Sequence, residues 1–252
     1  MRQHKSGRMK RAVKIILVIL FWLAVWQIAS MLVKNALYMP SPAETFTALS
    51  RIVVTDKFWL SVVFTFYRVV FGIAISFVSG IALAYLASRW GALETLLSPA
   101  ITAIKSTPVA SVIILALVWF NSSFVPVFSC VLLCFPIFYT NTLSGIKSVD
   151  KELLEMAAVF GVRHKRVLTG ISVPSVLPNV YSALSICLGF SWKSVVAAEV
   201  LASSRYSMGY NLYTTKLGLE IPDLFAWTIT IIIISVAVEK GLKRILPRGN
   251  SL

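Results

Sequence analysis

Acidic side chains are scarce in this chain: 10 Asp and Glu stand against 24 Lys and Arg, with only 2 histidines. A membrane enzyme would need a His, Asp, Glu or Cys constellation near one membrane face, and so thin a supply argues against one. His4 and His164 lie in charged segments and read as solvated. The 3 cysteines add little. Cys130, Cys134 and Cys187 all fall in apolar runs. Cys130 and Cys134 share a helix face, but two ligands without a neighbouring His or carboxylate make a poor metal site, so these thiols read as packing groups. A Gly-x-x-x-x-Gly-Lys-Ser/Thr loop is also missing. The chain therefore has no phosphate-binding loop of its own, no residue is singled out as catalytic, and if it uses ATP another subunit must bind it.

What the chain has in abundance is apolar surface. Hydrophobic residues make up 58%, charged ones 13%, and the mean hydropathy is +0.82, far from a soluble domain. A bilayer core about 30 Å thick needs roughly 20 mostly apolar residues in a helix. Six windows meet this: 13–33, 59–87, 101–120, 124–143, 176–201 and 224–245. The expectation is an all-α membrane protein with six transmembrane helices, a basic N-terminus over 1–12 and a single transmembrane domain over 13–252. The cations before the first run (Arg2, Lys5, Arg8, Lys10, Arg11, Lys14) resemble the start of a signal peptide. The run is too long for one, and Ala29-Ser30-Met31 is a poor cleavage site, so it reads as an uncleaved anchor. Gly72 and Gly80 in the second run permit close helix packing. Pro108 bends or delays the third.

Orientation follows from Lys and Arg, which are retained in cytoplasmic loops. With the N-terminus inside, the inner segments hold the N-terminal cations, Arg89, Lys105, Lys147, Lys151, Arg163, Lys165, Arg166, Lys240, Lys243, Arg244 and Arg248. The outer segments hold only Lys34, Arg51, Lys57, Arg205 and Lys216. Both termini are thus expected on the cytoplasmic side of the membrane. The net charge of +14 suits anionic lipid headgroups, and no nucleic acid need be invoked. Trp22, Trp26, Trp59, Trp90 and Trp119 fall near span ends or on lipid faces, as interface anchors do. Tyr206, Tyr210 and Tyr213 in an outer loop are placed to meet an external protein.

The longest polar interruption, 147–178, is then cytoplasmic. Asp150 is suited to cap a helix whose first turn carries Glu152, with Glu155 one turn on. Ala157 and Ala158 keep one face slim, Gly161 permits positive φ and stops the helix, and Arg163-His-Lys-Arg166 opens a second short helix. Pro174 and Pro178 reset the chain before the fifth span. A helix, turn, helix projection with a small-residue surface suits a groove on another protein.

The spacing of this loop is more specific than its composition. Glu155-Met-Ala-Ala-Val-Phe-Gly161, followed by Ile171-Ser-Val-Pro174-Ser-Val-Leu-Pro178, resembles the EAA loop of permease subunits of bacterial ABC importers. Met156 stands where the first Ala is usual, and Val173 where Leu is common. Met39-Pro-Ser-Pro42 looks like the turn after the first span in the nitrate, sulfonate and taurine subfamily. The approach Thr142 to Glu155, Leu188-Gly-Phe-Ser-Trp192 with Val196-Ala-Ala-Glu199, and Ser207-Met-Gly-Tyr210 are similar to its later elements, Ser207 and Met208 being departures. The resemblance implies a permease dimer, most simply of two identical chains, enclosing one translocation path. It also implies two ATPase subunits carrying ATP and Mg, and an extracytoplasmic solute-binding protein. Glu155, Ala157, Ala158, Gly161, Ile171 and Pro174 would form the coupling element, and the cargo would be a sulfonate, taurine, nitrate or a pyrimidine vitamin precursor.

Ionisable groups inside spans are costly and face protein or water. Arg68 and Glu199 fall toward the outer ends of their spans, placed either to pair with each other or to serve cargo passage; both fit the family pattern. Lys193 does not, since the resembling permeases usually carry an apolar residue there. Beside Ser191, Trp192 and Ser194 it either lines the path and favours an anionic cargo or snorkels toward an interface. The competing class, a self-contained secondary transporter or channel, would show internal repeats or broken helices in matching halves. Neither is evident in the sequence.

Overall fold

Lipid offers a peptide group no hydrogen-bonding partner, so an apolar run must satisfy its backbone internally. The computed structural model accordingly folds the described residues into helices, with no strand among them. It describes residues 2–33, 35 and 37–245, with side chains described over 13–241 apart from 34 and 36. Lys34 and Arg248 lie outside the described residues, as do the side chains of His4, Lys243, Arg244 and all the N-terminal cations except Lys14. The helices are α1 (Arg2–Val33), α2 (Pro42–Val53), α3 (Asp56–Arg89), α4 (Gly91–Ser106), α5 (Val109–Trp119), α6 (Val125–Lys147) and α7 (Lys151–Val159). There follow α8 (His164–Val167), a π-helical turn (Leu168–Ser172), α9 (Val173–Ala202), α10 (Met208–Leu217) and α11 (Ile221–Ile245). Among the described residues 5 helices are long and apolar enough to cross a membrane, or 6 crossings if the bent pair α4 and α5 counts as one. The chain is an all-α membrane protein.

Two expectations need correction. The third span is not one helix over 101–120: it begins at Gly91 and breaks between α4 and α5 with a bend of 107°. Pro108 has no N–H to continue the ladder, and it forces the preceding Thr107 into extended backbone (φ −78°, ψ 131°). Nor do Pro174 and Pro178 reset the chain before the fifth span, because His164–Ala202 is one run of 39 residues. Pro174 sits in the first turn of α9 directly after the π turn, where the changed bonding register tolerates a missing donor. The sequence reading also omitted α2 and α10.

The chain divides into two units, 1–59 with 211–231, and 60–210 with 232–252. In the first, α1 buries none of its apolar window, as suits a lipid-facing helix. The chain returns against it through Trp26 Nε1, which donates to Pro40 O at 3.0 Å, and Ser30 Oγ, which donates to Met39 O at 3.1 Å. Ser41 and Glu44 then form a reciprocal capping box on α2. Arg51 pairs with Asp223 at 2.6 Å, and Phe58 stacks on Trp227 at 5.2 Å between ring centres.

In the second unit the main packing is α6 against α9; Cys130, Cys134 and Phe138 of α6 and Ala183, Cys187 and Ala198 of α9 are all buried. Ser129 and Ser194 hydroxyls lie 2.7 Å apart across this seam, and Cys187 Sγ donates to Cys134 O at 3.7 Å. Helices in lipid associate through such close packing of small groups. The same device brings α3 onto α6. A Cβ on Gly72 would lie 2.6 Å from Cys130 Cβ, and one on Gly80 2.6 Å from Phe138 Cβ.

Candidate functional site

The polar segment after α6 folds as its capping residues dictate. Asp150 accepts from Glu152 N at 2.8 Å, closing the N-terminus of α7. At the other end Gly161 adopts φ +61°, Gly161 N donates to Ala158 O and Val162 N to Ala157 O, both at 3.0 Å. This is a Schellman stop, which satisfies two otherwise orphaned carbonyls and turns the chain sharply into α8.

The stop fixes which face of α7 looks outward. Leu154, Ala157 and Ala158 share one face by helical spacing: Ala157 is only 6% exposed, while the half-buried Leu154 and the exposed Ala158 line an open cavity. The small-residue surface expected to face a partner is therefore turned back toward the chain at Ala157. Outward stand Glu155, Met156, Val159 and Phe160, the last two 84% and 77% exposed. That apolar tip was missed in the sequence, although hydrophobes directly before a helix-stopping glycine were its signal. Of the remaining loop residues, Ile171 is half-buried in the π turn and Pro174 exposed in the first turn of α9.

The structure brings Arg68 and Glu199 together. Arg68 Nη1 lies 2.8 Å from Glu199 Oε1, with both side chains buried. The carboxylate also accepts from Thr65 Oγ1, 2.9 and 3.0 Å from its two oxygens, and from Gly209 N at 3.1 Å. Thr65 Oγ1 in turn accepts from Met208 N at 3.1 Å, and Arg68 Nη2 donates to Arg205 O at 3.4 Å. A Cβ on Gly209 would sit 2.5 Å from Glu199 Cβ, so a glycine is needed for the amide to approach. A buried carboxylate with this many donors is compensated, and the cluster ties α3, the end of α9 and the start of α10 into one fastening. Thr65 and Gly209 gave no sequence signal beyond the Ser207-Met-Gly-Tyr210 element.

Trp192 and Lys193, grouped by sequence, are separated by structure. Trp192 is buried beside Phe66, with Ser191 and Ser194 buried on the same helix, and Trp192 Nε1 has no hydrogen-bond partner among the described residues. Lys193 is exposed, its ammonium 5.6 Å from the centre of the Phe190 ring. Tyr206 is exposed, whereas Tyr210 and Tyr213 are half-buried.

Comparison with known proteins places this geometry in a family. Residues 72–239 match the family described as binding-protein-dependent transport system inner membrane component. A protein of Escherichia coli (strain K12) described as an aliphatic sulfonates transport permease is 30% identical over 192 residues, 74% of this chain and 72% of that one. Another so described, from Bacillus subtilis (strain 168), is 25% identical over 229 residues, 90% of this chain and 82% of that one. Among solved structures, a chain of a bacterial ABC transporter involved in import of the acidic polysaccharide alginate superposes with a TM-score of 0.63. The match covers 98% of this chain and 100% of that one, at 16% identity, which speaks for a common fold. The fold, the order of its motifs and the family match agree: the chain belongs to the binding-protein-dependent transport system inner membrane components, the permease subunits of ABC importers.

Proposed function

We propose that this permease imports a small organic anion of the sulfonate class, working as a pair of identical chains driven by two separate ATPase subunits. ATP and Mg belong to those subunits, which dock on the outer face of α7, and an extracytoplasmic binding protein delivers cargo at the opposite membrane face. Both termini lie in the cytoplasm, as the Lys and Arg distribution favours. The observation that carries the reading is the exposed Met156, Val159 and Phe160 tip, held out between capped ends beside the exposed Lys151, Glu152 and Glu155. Large apolar side chains in such a place favour a protein partner. ATP-driven closure of the ATPases would move this tip and rock the spans between inward-open and outward-open packings. Two relatives described as aliphatic sulfonates permeases support the cargo class. So does Lys193, whose exposed ammonium on α9 suits an anion in the path.

The test is co-purification with the neighbouring ATPase, together with uptake in reconstituted vesicles. Phe160→Asp and Glu155→Lys should leave membrane insertion intact and abolish both ATPase retention and uptake. Normal uptake by both variants would refute the docking assignment. For cargo, ligands loaded on the binding protein are screened for stimulation of ATP hydrolysis, and an alkanesulfonate should stimulate where an uncharged solute does not.

A further inference from the structure

The inner face of α7 roofs a cavity of about 770 Å³ that nothing above uses. Its walls come from α3 (Phe77, Ile81, Tyr85), α6 (Thr142, Ile146) and α9 (Val176, Val180), and they are mainly apolar. Its volume is in the range of small-molecule sites, roughly 300–1,000 Å³. Its length is more telling. From Arg89 to Phe77 along α3 is about 18 Å by helical rise, close to the ~15 Å hydrocarbon depth of one leaflet.

The polar groups gather at one end. Arg89 and His164 line the cavity, and no Asp or Glu does among the described residues. Nearby Lys147 is neutralised by Glu94 at 2.5 Å. Arg89, by contrast, meets among the described residues only Tyr85, whose hydroxyl is 3.5 Å from Nη2 and whose ring centre is 5.5 Å from the guanidinium carbon. Thr142 also lines this space; its side chain is buried, and its hydroxyl has no hydrogen-bond partner among the described residues. A buried orphan hydroxyl is costly unless something accepts from it.

We propose that this cavity binds one anionic phospholipid of the cytoplasmic leaflet. Its acyl chains lie along Phe77, Ile81, Val176 and Val180, its phosphate on Arg89 and His164, and an ester carbonyl accepts from Thr142. Basic pockets between spanning helices are suited to such headgroups. The leaflet follows from the orientation proposed above, and the consequence for transport rests on the docking reading. With ATPase on the outer face of α7 and lipid on its inner face, the lipid sets how firmly the coupling helix is seated.

The experiment is native mass spectrometry of the purified permease–ATPase complex from membranes containing phosphatidylglycerol, with ATP hydrolysis measured in phosphatidylcholine vesicles with and without phosphatidylglycerol. Wild type should retain phosphatidylglycerol and hydrolyse ATP faster when it is present. Arg89→Gln should cut retention about fivefold, as expected for one lost basic contact, while Arg89→Lys keeps it. Ile81→Trp should expel the lipid by filling the cavity while Arg89 remains. Equal phosphatidylglycerol retention in Arg89→Gln, Ile81→Trp and wild type would overturn the proposal. So would loss of ATPase from the Ile81→Trp complex with lipid unchanged, since protein would then cover the cavity. Lipid retention is also read on the permease alone, so a failure of the docking assignment leaves this result separately legible.

Discussion

Consider Arg68→Met. The change removes the guanidinium that faces Glu199 at 2.8 Å and leaves a carboxylate with no solvent exposure. Two kinds of donor remain, Thr65 Oγ1 and Gly209 N, which solvate the anion without neutralising it. Breaking one side of a buried pair typically costs about 3–5 kcal/mol. Polar contacts between helices in lipid are often weaker, at most about 1.7 kcal/mol in measured cases, because the unfolded reference also finds partners. The three-sided satisfaction of Glu199 puts this site toward the upper figure, so a loss of about 3 kcal/mol is expected. Adding Glu199→Gln removes the orphaned charge while keeping an oxygen for Thr65 and Gly209, and should restore about 2 kcal/mol. The assay is equilibrium unfolding in mixed micelles for wild type, both single variants and the double. If Arg68→Met costs under about 1 kcal/mol, or the double loss equals the sum of the singles, the fastening is not a coupled buried pair.

The other expectations can be stated together. Gly80→Leu should cost about 1–3 kcal/mol, or prevent assembly, because its Cβ alone would lie 2.6 Å from Phe138 Cβ; a thermal unfolding scan reads this. Gly161→Ala places a side chain at φ +61° with nothing within 4 Å, so the cost should be strain alone, about 1–2 kcal/mol. It should show as faster hydrogen exchange at Val162 N with the spans unaffected. Lys193→Met should leave basal ATP hydrolysis intact and reduce anion uptake; unchanged uptake of every cargo tested would remove Lys193 from the path.

What could be read from sequence tracks how local its cause is. The spans, the Asp150 cap and the Gly161 stop depend on residues within one turn of each other, and Gly72 and Gly80 announce close packing by their size alone. Pro108 signalled a break, though only the fold shows a bend between two helices that together reach back to Gly91. Ala157 illustrates the opposite case. A helical loop of nine residues has an inner face only once α3, α6 and α9 lie beneath it, and nothing within 151–159 says which side that is. Glu199 and Arg68 are 131 positions apart, so their geometry emerges from the fold even where pairing can be suspected. The capping box on α2 was written in Ser41-x-x-Glu44, but the prolines on either side of Ser41 made the segment look like a turn.

The uninterrupted course from His164 to Ala202 makes the end of the polar 147–178 segment and the Glu199 cluster two ends of a single helical run. At 1.5 Å per residue such a rod is about 58 Å long, so a tilt of about 5° around its middle sweeps each tip by about 2.5 Å. On the docking proposed above, a push at the His164 end would therefore reach the Glu199 fastening as leverage, without passing through any loop. The one change of bonding register along the described part of that lever is the widened π turn at Leu168–Ser172, close to its His164 end.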